Sequence, residues 1–439
     1  MSASRVGRLF KLGRLAGGVA ATALNQGARQ LARGQMPVAA ELLLNPENAR
    51  RFTLQLSEMR GAVMKVGQLL SMEAGDLLPR ELTDILAGLR DSAHTMPDFQ
   101  LQQVLNGAWG SDWPCRFESF DLKPFAAASI GQVHKAVDLQ GRRLAVKIQY
   151  PGVSASIDSD VDNVAGLLKL FRLLPPGFDI QPLLEVARQQ LHDEADYCLE
   201  ACHLRRYRGQ LAQDPVFRMP EVIDDLSSEK VLAMTLIEGE GIESLASAPA
   251  AVRDQMAARI IDLALKEFLH WGMVQSDPNF ANFLFDARDN TIGLVDFGAL
   301  RINRSDRAQS FARLLTSALN GDLEDIVDAA CEVGYVEASD SFNVRVAIAD
   351  LVQTAAEPAV HAGRYDFGYS SLSQRLGEKL WYLRNQEAFQ RVPPADVIFL
   401  HRKLAGVYLL CARINARVDV RACVLEALAL KATADRALT

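Results

Sequence analysis

The chain of 439 residues predicts an α+β fold in two lobes, a small β-rich lobe followed by a large helical one, with further helices ahead of both. Three observations predict it. Between Phe117 and Tyr150 the chain changes to a strand-like period with three β-rich runs; beyond Ala250 nearly all of it has helical spacing; and two short strands, around Leu284 and Leu294, flank charged loops. Those loops are Asp277-Pro278-Asn279-Phe280-Ala281-Asn282 and, at the end of an apolar run, Asp296-Phe297-Gly298.

Composition bounds the rest. At about 150 residues per domain the length suggests roughly three compact units, and a hydrophobic fraction of 49% can fill a large core. The six cysteines are scattered without a C-x-x-C pair, which fits a reducing compartment and argues against a zinc site. Cys198 and Cys202 share one face of a predicted helix and read as two buried thiols. Net charge is −7, but residues 1–40 hold Arg5, Arg8, Lys11, Arg14, Arg29 and Arg33 with no acid, so they carry +6 and the remainder −13.

The elements follow in order. Residues 1–40 form a basic amphipathic segment, with Val6, Leu9, Phe10, Leu12 and Leu15 among the cations. This pattern suits a helix lying on anionic lipid, and a flexible basic tail or a cleaved transit peptide are the alternatives. Residues 41–110 form a helical extension: Arg51 to Met72 contains no proline, and Pro79 can open a second helix. Residues 111–238 make the small lobe, with a Gln140-Gly141 turn between Val133–Leu139 and Leu144–Ile148, a helical insert over 152–212 and a strand from Val231 to Ile237. Residues 239–439 make the helical large lobe. Val397 to Leu410 is its most apolar stretch, but His401, Arg402 and Lys403 break it, so no segment is expected to span a bilayer.

Asp-x-x-x-x-Asn ahead of Asp-Phe-Gly matches the catalytic and metal-binding segments of the protein-kinase fold. Asp277 can orient an attacking oxygen, while Asn282 and Asp296 offer hard oxygen ligands to Mg²⁺ on nucleotide phosphates. Upstream, Ala126-Ala127-Ala128-Ser129-Ile130-Gly131-Gln132-Val133 occupies the place of a nucleotide-covering glycine loop. It keeps Gly131 and Val133 but puts Ala126 and Ala128 where glycines belong, which predicts a stiffer loop. Lys147, on the buried strand Ala145-Val146-Lys147-Ile148, is the candidate phosphate-holding lysine. Burial demands a partner for it. Glu194-Ala195-Asp196-Tyr197-Cys198-Leu199-Glu200 puts three acids on consecutive turns of one predicted helix, and Glu200 is the expected partner. Met234 is expected behind the adenine, with the backbone of Thr235, Leu236 and Ile237 receiving it. Gln275-Ser276 replaces the usual His-Arg before Asp277, and after Asp296-Phe297-Gly298 the chain is expected to enter helix with no Ala-Pro-Glu segment. Both departures argue against phosphorylation of another protein.

Together these motifs resemble the UbiB-like (ADCK) atypical kinase family, and the basic N-terminus resembles its ubiquinone-associated branch. Lys65-Val66-Gly67-Gln68, the Ala126–Ser129 loop, Glu194-Ala195-Asp196 with Glu200, and Asp277–Asn282 with Asp296-Phe297-Gly298 carry the resemblance. It implies a protein-kinase-like two-lobed fold whose N-terminal helical extension covers the active site, with Lys65, Gly67 and Gln68 meeting Glu194 and Asp196. It also implies a slow Mg²⁺-dependent ATPase that binds ATP or ADP and supports ubiquinone or other isoprenoid-lipid biosynthesis. A small-molecule or lipid kinase and a non-catalytic nucleotide-gated module are the alternatives. The expected partners are an isoprenoid lipid or prenylated phenol, an anionic membrane surface and ubiquinone-biosynthesis proteins, with no nucleic acid. The expected location is cytoplasmic and peripheral at a membrane, or the mitochondrial matrix face.

Overall fold

The structure is a computed structural model describing residues 59–73, 95–170, 179–277, 279–302, 305–389 and 391–437. The chain divides into two compact units where length alone suggests about three. One holds Met1–Gly141, Val146–Asp196 and Ser228–Val231; the other holds Arg142–Ala145, Tyr197–Ser227 and Leu232–Thr439. The basic segment 1–40 and the helix start expected at Pro79 lie outside the described residues.

In the first unit, α1 (Arg60–Glu73) buries Val63, Val66 and Leu69, a stripe three residues apart that lies on one helical face. Next come α2 (Asp98–Trp109), β1 (Phe117–Phe120), β2 (Ala126–Ala127), β3 (Gly131–Asp138) and β4 (Arg143–Gln149), then α3 (Val153–Leu170) and α4 (Gln181–Glu194). The helices α1, α3 and α4 pack on one another through Val161, Val164, Leu184, Ala187 and Leu191. Trp109, Trp113, Phe117 and Phe120 form an aromatic cluster with ring centroids 5.0 to 6.4 Å apart, and Phe120 stacks on His134. The cluster fixes α2 on the β1–β3 ladder. The expected turn before β4 is present, with Gly141 at φ +72°, a left-handed conformation that favours glycine.

Besides the first residues of β4, the second unit holds α5 (Tyr197–Gln210), β5 (Phe217–Arg218), β6 (Val231–Thr235) from Leu232 onward, β7 (Glu240–Gly241) and α6 (Ala250–Lys266). A π-helical turn, Glu267–Trp271, prolongs α6 and ends at Gly272, φ +59°. Four short strands carry the loops of interest: β8 (Met273–Gln275), β9 (Phe283–Asp286), β10 (Thr291–Leu294) and β11 (Leu300–Ile302). β9 and β10 are antiparallel neighbours in a sheet of order β5-β10-β9-β7, and β11 pairs back onto β8. The helices α7 (Ser305–Asn320), α8 (Leu323–Val333), α9 (Phe342–Ala355), α10 (Glu357–Val360), α11 (Leu372–Asn385), α12 (Ala395–Arg413) and α13 (Val420–Ala437) follow, with the small pair β12 (Tyr365–Asp366) and β13 (Arg417–Val418). No described helix is long and apolar enough to cross a membrane.

Three expectations need correction. The acids Glu194, Asp196 and Glu200 do not share one helix: α4 ends at Glu194 and α5 starts at Tyr197. At the break the Gln149 side-chain amide donates to the Ala195 carbonyl at 2.8 Å, a tertiary bond from β4. Cys198 and Cys202 are both exposed, so their shared face is the solvent face of α5. After Gly298 the chain forms β11 before it enters helix, since Leu300–Ile302 can close a ladder with Met273–Gln275.

Candidate active site

In the first unit β4 presents Lys147 on the same face as Ala145 and Gln149, by strand alternation, and leaves it only 7% exposed. The alanine loop is a tight hairpin: Ala126 pairs with Val133 and Ala127 with Gln132, and the Ala128 amide donates to the Gly131 carbonyl at 2.9 Å. None of residues 126–131 has positive φ, so the loop does not need the glycines that alanine replaces. A Cβ at Gly61 on α1 would lie 3.6 Å from the Ser129 carbonyl and 3.4 Å from Ile130. The helix therefore runs against the loop, and one turn further on Lys65 reaches Glu194 at 2.5 Å, both side chains less than a tenth exposed. Gly67 is buried on the same helix and Asp196 is exposed. The side chain of Gln68 lies outside the described residues.

Beneath the loop, Met96 donates its amide to Gln132 Oε1, the Gln132 amide faces His134 Nε2, and His134 Nδ1 meets the Asp121 carbonyl. A carbonyl only accepts, so Nδ1 carries the proton and Nε2 accepts from Gln132. His134 is neutral in this chain, and burial lowers its pKa from the ordinary value.

In the second unit the predicted metal-site residues come together. The Asn282 amide donates from Nδ2 to Asp277 Oδ2 at 2.9 Å. A carboxylate offers only acceptors, so this bond turns Asn282 Oδ1 away from Asp277 and toward a role as a hard ligand. The Asn282 carbonyl accepts from the amide of Val295, the residue before Asp296. Asp296 Oδ1 accepts from the Gly298 amide at 3.0 Å. Two oxygen-bearing side chains on adjoining backbone fit Mg²⁺, which favours oxygen ligands. Among the described residues no cluster of three or more His, Cys, Asp or Glu could hold a metal, so Asn282 is the donor that sets this pair apart.

One face of α5 clasps Phe297. Glu200 Oε1 accepts from the Phe297 amide at 3.5 Å, His203 Nδ1 donates to its carbonyl at 3.3 Å, and the Tyr207 ring lies 5.1 Å from the Phe297 ring. These residues sit at i, i+3 and i+7, one stripe of a helix. Lys147 belongs to the first unit and Glu200 to the second. Around the expected adenine site Met234 is buried, the Thr235 amide donates to Glu221 and the Leu236 amide to Arg143. The Thr235 and Leu236 amides thus serve the fold. A Cβ at Gly293 would meet Ile237 Cγ2 at 2.5 Å, so glycine in β10 is what lets Ile237 pack there.

A family model for the ABC1 atypical kinase-like domain matches residues 88–330. The chain belongs to the ABC1 atypical kinase-like family. The yeast Saccharomyces cerevisiae protein named atypical kinase COQ8, mitochondrial, is 37% identical over 417 residues, 94% of this chain and 83% of the relative. The rat protein named atypical kinase COQ8B, mitochondrial, is 35% identical over 421 residues, 95% and 79% of the two chains. Among solved structures, the Rv3197–erythromycin complex from Mycobacterium tuberculosis aligns with a TM-score of 0.58 and 26% identity, covering 88% of this chain and 96% of that one. The kinase-like α+β fold and the UbiB-like resemblance read from the sequence agree with these matches.

Several residues around the candidate site escaped sequence reasoning. Gln275 donates to the Asp296 carbonyl at 2.5 Å and accepts from the Asp277 amide at 3.1 Å. Arg402, wholly buried, lies 3.7 Å from Asp277 Oδ1. Lys403 bonds Glu267 at 2.8 Å, and Glu267 also accepts from the Tyr207 hydroxyl and the Gln275 amide. Burial pushes the Glu267 carboxyl up, against Lys403, Tyr207 and Gln275, which pull it down. Burial also keeps the Tyr207 hydroxyl protonated as a donor. The sequence signals were Gln275, noted only as a substitution for the usual His, and His401-Arg402-Lys403, read only as an interruption of an apolar stretch.

Proposed function

We propose that this protein is a slow Mg²⁺-dependent ATPase that supports ubiquinone or related isoprenoid-lipid biosynthesis, peripherally at a membrane surface; its likeness to the atypical kinases COQ8 and COQ8B supports the atypical-kinase and ubiquinone-linked part of this reading. In this reading Lys147 holds nucleotide phosphates, and Met234 with the backbone of Thr235, Leu236 and Ile237 borders the adenine. Asn282 and Asp296 would hold Mg²⁺, whose charge would offset that of the phosphates. Asp277 orients the attacking water through its carboxylate, held in place by Asn282. The alanine loop covers the phosphates, and Lys65 with Glu194 fixes α1 against that loop.

The observation that carries hydrolysis over protein phosphorylation is the short path after Asp296. β11 begins two residues beyond Gly298 and pairs directly onto β8, and Ser305 opens α7. Among the described residues, the path from Asp296 to Ser305 offers a substrate peptide no long free segment on which to dock. Phosphate release by the full chain with Mg²⁺ and ATP tests the reading. Wild type should turn over slowly and Asp296→Asn should lose release by at least about 100-fold. An unchanged rate in Asp296→Asn would sink the assigned site, and transfer of labelled phosphate from ATP to an added prenylated phenol would replace hydrolysis by lipid-kinase activity.

A further inference from the structure

The Asp277 and Asp296 segments are separate loops, and their relative position decides whether a metal-bound phosphate and an attacking oxygen line up. One side chain bonds both. Gln275 places its Nε2 on the Asp296 carbonyl at 2.5 Å and its Oε1 on the Asp277 amide at 3.1 Å. We propose that Gln275 is the positioning residue of this site, a neutral clamp that sets the Asp277 carboxylate against Asp296. The inference rests on the ATPase reading for its rate measurement only.

The geometry explains the residue type. The clamp requires a donor and an acceptor on one rigid planar group, and a carboxamide supplies both without charge. An ionised Glu could still accept from Asp277 but could not donate to Asp296. The surroundings make an added charge costly: Gln275 is 6% exposed and lies among Glu267, Lys403, Asp277 and Arg402. The clamp is itself anchored. The Gln275 backbone amide donates to Glu267 at 3.3 Å, and Glu267 is held by Lys403 and Tyr207. On the other side, β8 pairs with β11, with Leu300 opposite Gln275, and Ser276 bonds the Ala299 carbonyl through both its amide and its hydroxyl. Backbone bonds thus hold the strand on both sides of the side chain, so the carboxamide acts from a fixed base. Meanwhile Glu200 and His203 bind the Phe297 amide and carbonyl, and with Gln275 on the Asp296 carbonyl the segment is tied along its backbone.

The test uses the full chain and the variants Gln275→Met, which keeps the shape and loses both bonds, Gln275→Glu, which keeps the acceptor alone, and Gln275→Asn, which keeps the carboxamide on a shorter arm. Phosphate release gives kcat and KM; a fluorescent ADP analogue gives affinity with and without Mg²⁺; melting reports folding. Gln275→Met and Gln275→Glu should lose about 100-fold in kcat with KM within about 3-fold. Gln275→Asn should fall between them and wild type. In the same variants ADP affinity without Mg²⁺ should stay near wild type while the gain on adding Mg²⁺ shrinks. A loss confined to KM, or a kcat within about 3-fold of wild type in the isosteric Gln275→Glu, would overturn the clamp. If wild type releases no phosphate, the ATPase reading fails and the Mg²⁺-dependent gain decides the clamp: a gain equal in wild type and Gln275→Glu overturns it.

Discussion

His134 illustrates how a single buried residue sets a pH limit. Its Nε2 accepts from Gln132 and its Nδ1 donates to Asp121, so protonation removes the acceptor that Gln132 needs. Burial lowers its folded pKa below the unfolded value of about 6.5. Between those two values the unfolded chain binds the proton and the folded chain does not, so stability falls as pH drops below about 6.5 and levels off above it. Urea midpoints at pH 7.5 and 5.5 check this. Wild type should lose more than His134→Gln over that interval, and equal losses would place the pH sensitivity elsewhere. At this scale much of the site was legible. Asp277, Asn282 and Asp296 stand out as candidates by their spacing, and the structure places the Asn282 amide on the Asp277 carboxylate. Gln275 was noted only as a substitution, because a glutamine that clamps two loops looks in sequence like any glutamine. The Lys65–Glu194 pair was reachable only through family resemblance, since a helix lysine is ordinarily solvated.

At the scale of elements, the matched family domain ends at residue 330, yet α12, some 65 residues beyond, supplies two buried cations to the catalytic segments. Arg402 faces Asp277, and Lys403 pairs with Glu267, whose exposure is nil. The helix is therefore part of the site's framework. Removing one partner of a buried pair leaves the other charge stranded, at a cost of about 3–5 kcal/mol. Lys403→Met should lower the unfolding free energy by that order, and adding Glu267→Leu should recover part of it, both read by urea denaturation. A single-variant loss under about 1 kcal/mol would show that Glu267 does not depend on Lys403. No local pattern could have revealed these pairs, because their partners lie more than a hundred positions apart in the chain. The break between α4 and α5 was hidden for a related reason. Glu-Ala-Asp-Tyr-Cys-Leu-Glu contains neither proline nor glycine, and the bond found at the break comes from Gln149, 46 positions away in the chain.

Over the whole molecule, charge is the property that local motifs do not capture. The total of −7 divides into +6 on residues 1–40 and −13 on the rest, so the chain as a whole is repelled by an anionic surface while its first segment is drawn to one. Each Lys or Arg near such a surface contributes about 1 kcal/mol at most physiological settings, and six together outweigh the repulsion only if they approach within a Debye length, about 10 Å at 0.1 M salt. The net attraction should therefore be steeply salt-dependent. Cosedimentation with phosphatidylserine-containing vesicles should be strong at 0.05 M salt, weak at 0.5 M, and lost at both when residues 1–40 are deleted. Since that segment carries none of the catalytic side chains, phosphate release without vesicles should persist after the deletion while any stimulation by vesicles disappears. Binding that survives both high salt and the deletion would point instead to an apolar contact, for which the exposed aromatics Tyr369, Trp381 and Tyr382 are the residues to test, and would remove the basic segment from the account of membrane association.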